Sequence, residues 1–176
     1  TSELDWPDLD FVLFTGDFAR HNQLNATEVL GNFATVEDLF RVYFPDTPVI
    51  ELPALNLGNN DFVSDYYLNV SSYKPCLATY NDEGGIESLP KPTNKWLEVV
   101  AEQQSDTFAS ELEQATFACG GYLNRAISDQ LHIIVLNTVV WSLSHVPKPL
   151  LVEEDDPFGQ FQWLSTQLSE LRDEGK

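Results

Sequence analysis

Asp10-Phe11-Val12-Leu13-Phe14-Thr15-Gly16-Asp17 is the stretch on which the fold of this chain turns. Its four consecutive apolar residues, 11 to 14, have the pattern of a strand buried on both faces, and Thr15-Gly16-Asp17 ends it on a carboxylate. Downstream, Thr27 is an expected N-cap, and Val29, Phe33, Val36, Phe40 and Tyr43 recur at spacings of four and three until Pro45. That periodicity predicts an amphipathic helix. Pro48-Val49-Ile50-Glu51-Leu52 then reads as a second strand that runs on into the turn Gly58-Asn59-Asn60-Asp61. Strand, helix and strand predict a parallel crossover. In open α/β sheets, polar residues at the carboxyl ends of such strands line the ligand crevice, so Asp17 and Asn59 are expected to face one another.

Further along, Pro, Asn and Gly interrupt every period between residues 66 and 116, although Trp96-Leu97 and Val99-Val100 predict a helix start. Phe117-Ala118-Cys119-Gly120-Gly121-Tyr122 and Leu131-His132-Ile133-Ile134-Val135-Leu136-Asn137 read as two strands. The last element reads as a helix capped by Asp156, opened by Pro157 and closed by Gly175, with Phe161, Leu164, Leu168 and Leu171 as its apolar stripe. No repeat, low-complexity tract or linker divides the chain, so a single domain is expected.

The 176 residues carry 28 acidic and 9 basic side chains, a formal charge of -19. Such a field repels nucleic acid and anionic membrane surfaces, which removes nucleic-acid binding from the expected functions. With 43% hydrophobic and 12% aromatic residues, the chain can bury a core of domain size. No run approaches the roughly 18 apolar residues of a membrane span, and residues 1–10 are too acidic for a signal peptide. The sequence has no Met and stops just after a helix, so a piece of a longer chain is expected, with any export signal upstream of Thr1. Two sequons, Asn25-Ala26-Thr27 and Asn69-Val70-Ser71, are compatible with export and glycosylation. Cys76 and Cys119 are either a disulfide or two buried thiols.

Taken in order, four blocks resemble the calcineurin-like metallophosphoesterases, and within them the acid sphingomyelinase and endopolyphosphatase branch. They are residues 10–17 followed by Arg20-His21, Gly58-Asn59-Asn60-Asp61, Ile134-Val135-Leu136-Asn137-Thr138, and Asp156-Pro157-Phe158-Gly159-Gln160-Phe161-Gln162-Trp163-Leu164. The resemblance implies an α/β fold, a four-layer α/β/β/α sandwich of mixed sheets. Residues 1–176 would be one partial domain of it, truncated at both ends. It also implies hydrolysis of a phosphoester or phosphoanhydride by a metal-bridging hydroxide on two divalent ions, zinc in the acidic-compartment branch. The location implied is secreted, or the lysosomal or vacuolar lumen.

Carried over residue by residue, Asp17 matches the bridging carboxylate, whose hard anionic oxygens offset the repulsion between two cations. Asn59 matches the amide ligand of the second metal. His21 matches a histidine that contacts the substrate phosphate, and Arg20 beside it is the basic residue placed for the same task. Asn60 stands where the widespread motif has His, and an amide donates a hydrogen bond but transfers no proton. His21 and Asn60 are therefore the catalytic candidates, Arg20 and His21 the substrate-binding ones, and Asp17 and Asn59 the metal ligands. The Asn-Asn-Asp form, with Arg20-His21, resembles the endopolyphosphatases more than the sphingomyelinases.

The family's Asp-x-His block is expected before Thr1 and its Gly-His blocks beyond Lys176, so the chain by itself is expected to be inactive. Polyphosphate, a phospholipid head group and a nucleotide-like phosphodiester all stay open as substrates. A catalytically inactive secreted binding or structural module is the alternative, and Asn60 is what keeps it open. Three other candidates have plainer readings. His132, inside an apolar run, is expected to be a packed core or sheet residue, and His145, in Ser144-His145-Val146-Pro147, a solvated one. Glu153-Glu154-Asp155-Asp156 is expected to be an exposed helix cap, since calcium needs about six to eight converging oxygens.

Overall fold

The computed structural model of the protein describes residues 11–22, 25–45, 57–69, 75–147 and 156–175. Helix α1 spans Ala26–Tyr43. It starts ahead of the expected Thr27 because Asn25 caps it, its side-chain oxygen accepting the Glu28 N–H at 3.0 Å. Val29 and Phe33 are fully buried while Tyr43 is exposed, so the predicted stripe is core at its N-terminal end only. Strands β1 (Thr79–Tyr80) and β2 (Ile86–Ser88) make a short exposed hairpin, and α2 (Lys95–Gln103) follows where the Trp96 pattern predicts it. A 3-10 turn, Ser105–Thr107, leads to α3 (Glu111–Gly120), then β3 (Leu123–Ser128), β4 (Leu131–Val135), a second 3-10 turn at Val139–Trp141, and α4 (Gln160–Asp173). Both described sheets are two-stranded and antiparallel, with Asn124 opposite Ile134 and Ala126 opposite His132 in the second. This mixture of helices and small antiparallel sheets is compatible with an α/β fold.

Residues 11–14 do not form the expected doubly buried strand. Val12 alone makes a β-bridge, and Phe11 and Leu13 are exposed. Among the described residues the segment is covered on one side, where the Phe14 ring packs 4.7 Å from Phe18 and 5.9 Å from Phe40. The expected second strand, residues 48–52, lies outside the described residues, and the crossover with it.

Residues 117–120, expected in a strand, are the last turn of α3. The reason is local: Ser110 accepts the Glu113 N–H at 3.2 Å, Glu113 reaches back to the Ala109 N–H at 3.1 Å, and Gly121 ends the helix at φ 74°. These are a capping pair and a left-handed glycine stop, both written in Ser110-x-x-Glu113 and Gly121. Helix α4 also differs from its expected stripe. Asp156 does cap it, accepting the Gln160 and Phe161 N–H groups at 2.7 and 2.9 Å, but Pro157 lies in the turn before it and Gly159, at φ 67°, is its N-cap. Its buried residues are Gln160 and Trp163, whereas Phe161 and Leu168 are exposed, because the inward face is turned toward Tyr122, whose ring lies 4.6 Å from that of Trp163.

One core joins these elements: Val29 and Phe33 of α1, Leu97 and Val100 of α2, Phe117 and Ala118 of α3, then Tyr122, Leu123, Val135, Phe158 and Trp163. Two polar devices brace it. Half-buried Arg125 and buried Glu113 form an ion pair, with the guanidinium also donating to the Thr107 carbonyl at 2.6 Å. Asn137 and Gln160 exchange backbone and side-chain hydrogen bonds at 2.7 and 3.0 Å, which ties the end of β4 to the start of α4. The two later blocks of the family resemblance thus meet in space.

Cys76 and Cys119 are a disulfide, both halves buried, bridging residues 43 apart in sequence. The bond fastens the segment before β1 to the last turn of α3. Replacing both by Ser is expected to lower the unfolding free energy by about 2–4 kcal/mol, chiefly by freeing the unfolded chain. Urea titrations of the oxidised chain and the double variant check this, and an unchanged midpoint would contradict it.

Candidate functional site

The turns Gly16-Asp17 and Gly58-Asn59-Asn60-Asp61 come together, and Asp61 is what holds them. Its fully buried carboxylate accepts the Asp17 N–H at 2.7 Å and the Gly58 N–H at 2.8 Å on one oxygen, and the Ala19 N–H at 2.9 Å on the other. Fixed amide dipoles here replace the water that a buried carboxylate loses. Burial pushes the Asp61 carboxyl above the ordinary range, and the bonds from Gly58, Ala19, Asp17 and Phe18 offset only part of that rise. The main chain returns the contact, with the Asn60 N–H donating to Asp17 Oδ1 at 3.1 Å. Gly16 and Asp17 both lie in the left-handed region, at φ 87° and 66°, a conformation that persists only where surrounding bonds impose it.

Gly58 is required for the close approach. A Cβ there would lie 2.6 Å from the Asp17 nitrogen and 2.8 Å from its Cα, so any side chain would push the two turns apart. From the other side, the Trp96 indole N–H of α2 donates to the Asp61 carbonyl at 2.9 Å, and the Tyr66 N–H donates to the Asn59 carbonyl at 2.8 Å. Helix α2 thereby supports the turn that carries Asn59.

The side chains singled out from the sequence occupy different depths. Asp17, Arg20 and His21 are exposed, and Asn59 is half-buried. Asn60 is only 5% exposed, and its oxygen accepts from Asn59 Nδ2 at 2.7 Å. That bond holds the Asn59 amide by its nitrogen end and leaves the oxygen end pointing elsewhere. His21 Nδ1 lies 2.7 Å from Asp65 Oδ2, while the Asn22 N–H donates to Asp65 Oδ1 at 3.0 Å. Asp17 and Asn59 offer the hard oxygens that suit a divalent cation. They are right in kind and short in number: among the described residues, no group of three or more His, Cys, Asp or Glu is placed to hold a metal.

His132 is in β4 as expected, its Nδ1 3.0 Å from Asn124 Oδ1. His145 is not solvated. It is 1% exposed, and its Nε2–H donates to the Leu68 carbonyl at 2.7 Å. Reciprocal bonds between Tyr66–Leu68 and Val146 cover this loop, a pairing that a local reading of Ser144 to Pro147 contains no sign of. The sequence assigns no functional role to Asp61, Asp65 or Trp96, although Asp61 lies in the quoted turn and Trp96 at the predicted helix start. The available signal for Asp61 was an acid directly before an apolar residue in a glycine turn, a type suited to collecting neighbouring amides. No helix among the described residues is long and apolar enough to cross a membrane.

No protein-family model matches the chain. It is 28% identical over 163 residues to the sphingomyelinase phosphodiesterase C of Dictyostelium discoideum, a match covering 91% of this chain and 30% of that protein. It is 29% identical over 178 residues to the endopolyphosphatase of Neurospora crassa, covering 96% of this chain and 21% of the relative. With the acid sphingomyelinase-like phosphodiesterase 3b of Homo sapiens it shares 30% identity over 174 residues, covering 96% and 32%. The chain thus spans roughly a third or less of the length of these curated relatives. Sphingomyelin phosphodiesterases and endopolyphosphatases are its relatives over most of its length, which is consistent with the acid sphingomyelinase and endopolyphosphatase-like branch of the metallophosphoesterases.

Proposed function

We propose that the whole protein hydrolyses a phosphoester or phosphoanhydride bond, with Asp17 and Asn59 as ligands of divalent metal ions and Arg20, His21 and Asn60 toward the substrate phosphate. The observation that carries this reading is the Asn60 N–H bond to Asp17 Oδ1 at 3.1 Å across 43 residues of sequence. It holds the turn of Asp17 against the turn of Asn59, two residues with oxygen-donor side chains. Two ions, zinc among the candidates, and the four-layer sandwich belong to the same proposal. So do a substrate that is a phosphorylated small molecule, a lipid or polyphosphate, and a secreted or lysosomal/vacuolar location, which the Cys76–Cys119 bond supports. A bound divalent cation would polarise a phosphoryl oxygen.

This chain's own groups orient and neutralise. The oxygen of Asn60 is committed to Asn59, so its amide hydrogens are what it can present to phosphate. It has no proton to transfer, which suits a leaving group that departs as phosphate better than one that departs as alkoxide. That favours the phosphoanhydride member of the pair. Arg20 supplies local positive charge against a field of -19.

The test uses the purified whole protein with polyphosphate and with bis(4-nitrophenyl) phosphate, before and after dialysis against a chelator. Turnover is expected to fall to background on metal removal and to return with a divalent cation. The 176-residue chain alone is expected to show none, since among its described residues no group of three or more His, Cys, Asp or Glu is placed to hold a metal. Turnover that survives chelation would overturn the ligand assignments. Metal binding without turnover on either substrate would favour the binding-module reading, which Asn60 in place of His also supports.

A further inference from the structure

We infer that Asp65 is a positioning residue for His21: it accepts the Nδ1–H and so turns Nε2 toward the substrate phosphate, and its negative charge balances the ring once Nε2 takes up the proton that it donates there. This rests on the proposed phosphate contact of His21. Nδ1 lies 2.7 Å from Asp65 Oδ2, and the other carboxylate oxygen accepts the Asn22 N–H at 3.0 Å. Both oxygens of Asp65 are therefore spent on one dipeptide. The hydrogen bond from His21 holds the Asp65 carboxyl below its ordinary range, so the group has no hydrogen of its own to give. Nδ1 is then the donor, and Nε2 is the nitrogen available for chemistry.

The backbone on both sides is shaped to this contact. Asn22 and Tyr66, the residues directly after each partner, are in the left-handed region at φ 58° and 60°, which is rare for a residue as bulky as Tyr. Tyr66 is held there by its N–H to the Asn59 carbonyl at 2.8 Å and by the Val146 N–H to its own carbonyl at 3.0 Å. The turn that carries Asn59 thus also carries the partner of His21. Asp61 grips residues 17 and 19 at separations of 44 and 42, and Asp65 grips residues 21 and 22 at 44 and 43. The two acids run in register along the first segment, one setting Asp17 and the next setting His21. The His21 side chain is 70% exposed, and a contact so open contributes little to stability, so a structural role alone leaves the doubled grip unexplained.

Asp65→Asn tests this in the whole protein. The Asn22 N–H still needs an acceptor, so the amide oxygen takes that side and turns its NH₂ toward His21. Nδ1 must then accept, and the ring proton moves to Nε2. Long-range ¹H–¹⁵N correlation spectra, with the His21 signal assigned by its loss in His21→Gln, are expected to show the proton on Nδ1 in the parent and on Nε2 in the variant. Turnover of polyphosphate is expected to fall about 10- to 100-fold with metal content unchanged, the range typical of losing an orienting partner. Asp65→Glu, which keeps an acceptor-only group, is expected to keep the parent tautomer. A parent imidazole protonated on Nε2 alone overturns the proposal without any variant, and so does a switched tautomer with unchanged turnover. A parent with no turnover at all sinks the hydrolase reading instead, while the spectra still decide the tautomer.

Discussion

Asp61→Ala is expected to lower the unfolding free energy by about 3–5 kcal/mol, because three amides, of Asp17, Ala19 and Gly58, lose one shared acceptor in a buried place. The costs are not additive, since water entering the vacated space recovers part of them. Asp61→Asn refines the test. An amide has one oxygen, which can keep the Asp17 and Gly58 bonds, but its NH₂ then faces the Ala19 N–H. A loss of about 1–3 kcal/mol is expected for that single mismatch. Denaturant titration of both variants is the measurement. If both stay within about 0.5 kcal/mol of the parent, the size of an ordinary surface substitution, Asp61 does not hold the two turns together.

In the whole protein, Asp17→Asn is expected to reduce turnover about 10²–10³-fold, the scale of one lost transition-state interaction, and to lower metal content. The substitution separates charge from architecture. Asn tolerates the left-handed backbone at φ 66°, and its carbonyl can still accept the Asn60 N–H, so the turn should persist. What disappears is a negative charge. His21→Ala is expected to cost less, since it removes a substrate contact and no ligand. Metal analysis beside steady-state rates distinguishes these, and an Asp17→Asn protein with full metal content and full rate would refute the ligand role.

The meeting of the Asp17 turn with the Gly58-Asn59-Asn60-Asp61 turn was legible because each follows an apolar run at a glycine, and the expected helix between them is present as α1. Asp61 and Asp65 were not legible as organisers. Their partners are backbone amides and a histidine more than 40 residues away, and no local periodicity records such a pairing. Residues 117–120 went astray for the opposite reason, since the Ser110-x-x-Glu113 cap that makes them helical was available and an apolar run beside two glycines outweighed it. His145 illustrates a third limit: a polar loop sequence predicts solvent, yet the loop is covered by Tyr66–Leu68, brought there by tertiary pairing.

The Asp61 grip has a consequence for how this site can be altered. A carboxylate that binds main-chain amides takes no notice of the side chains those amides belong to. Arg20, exposed and within the gripped segment, is thus free to be exchanged for other residues without loosening the frame that places Asp17. Ala19, buried, has no such latitude. On the proposed reading, a library randomised at position 20 would therefore vary what this edge offers to a phosphate substrate while its geometry stays constant, which makes the position an entry point for re-engineering selectivity.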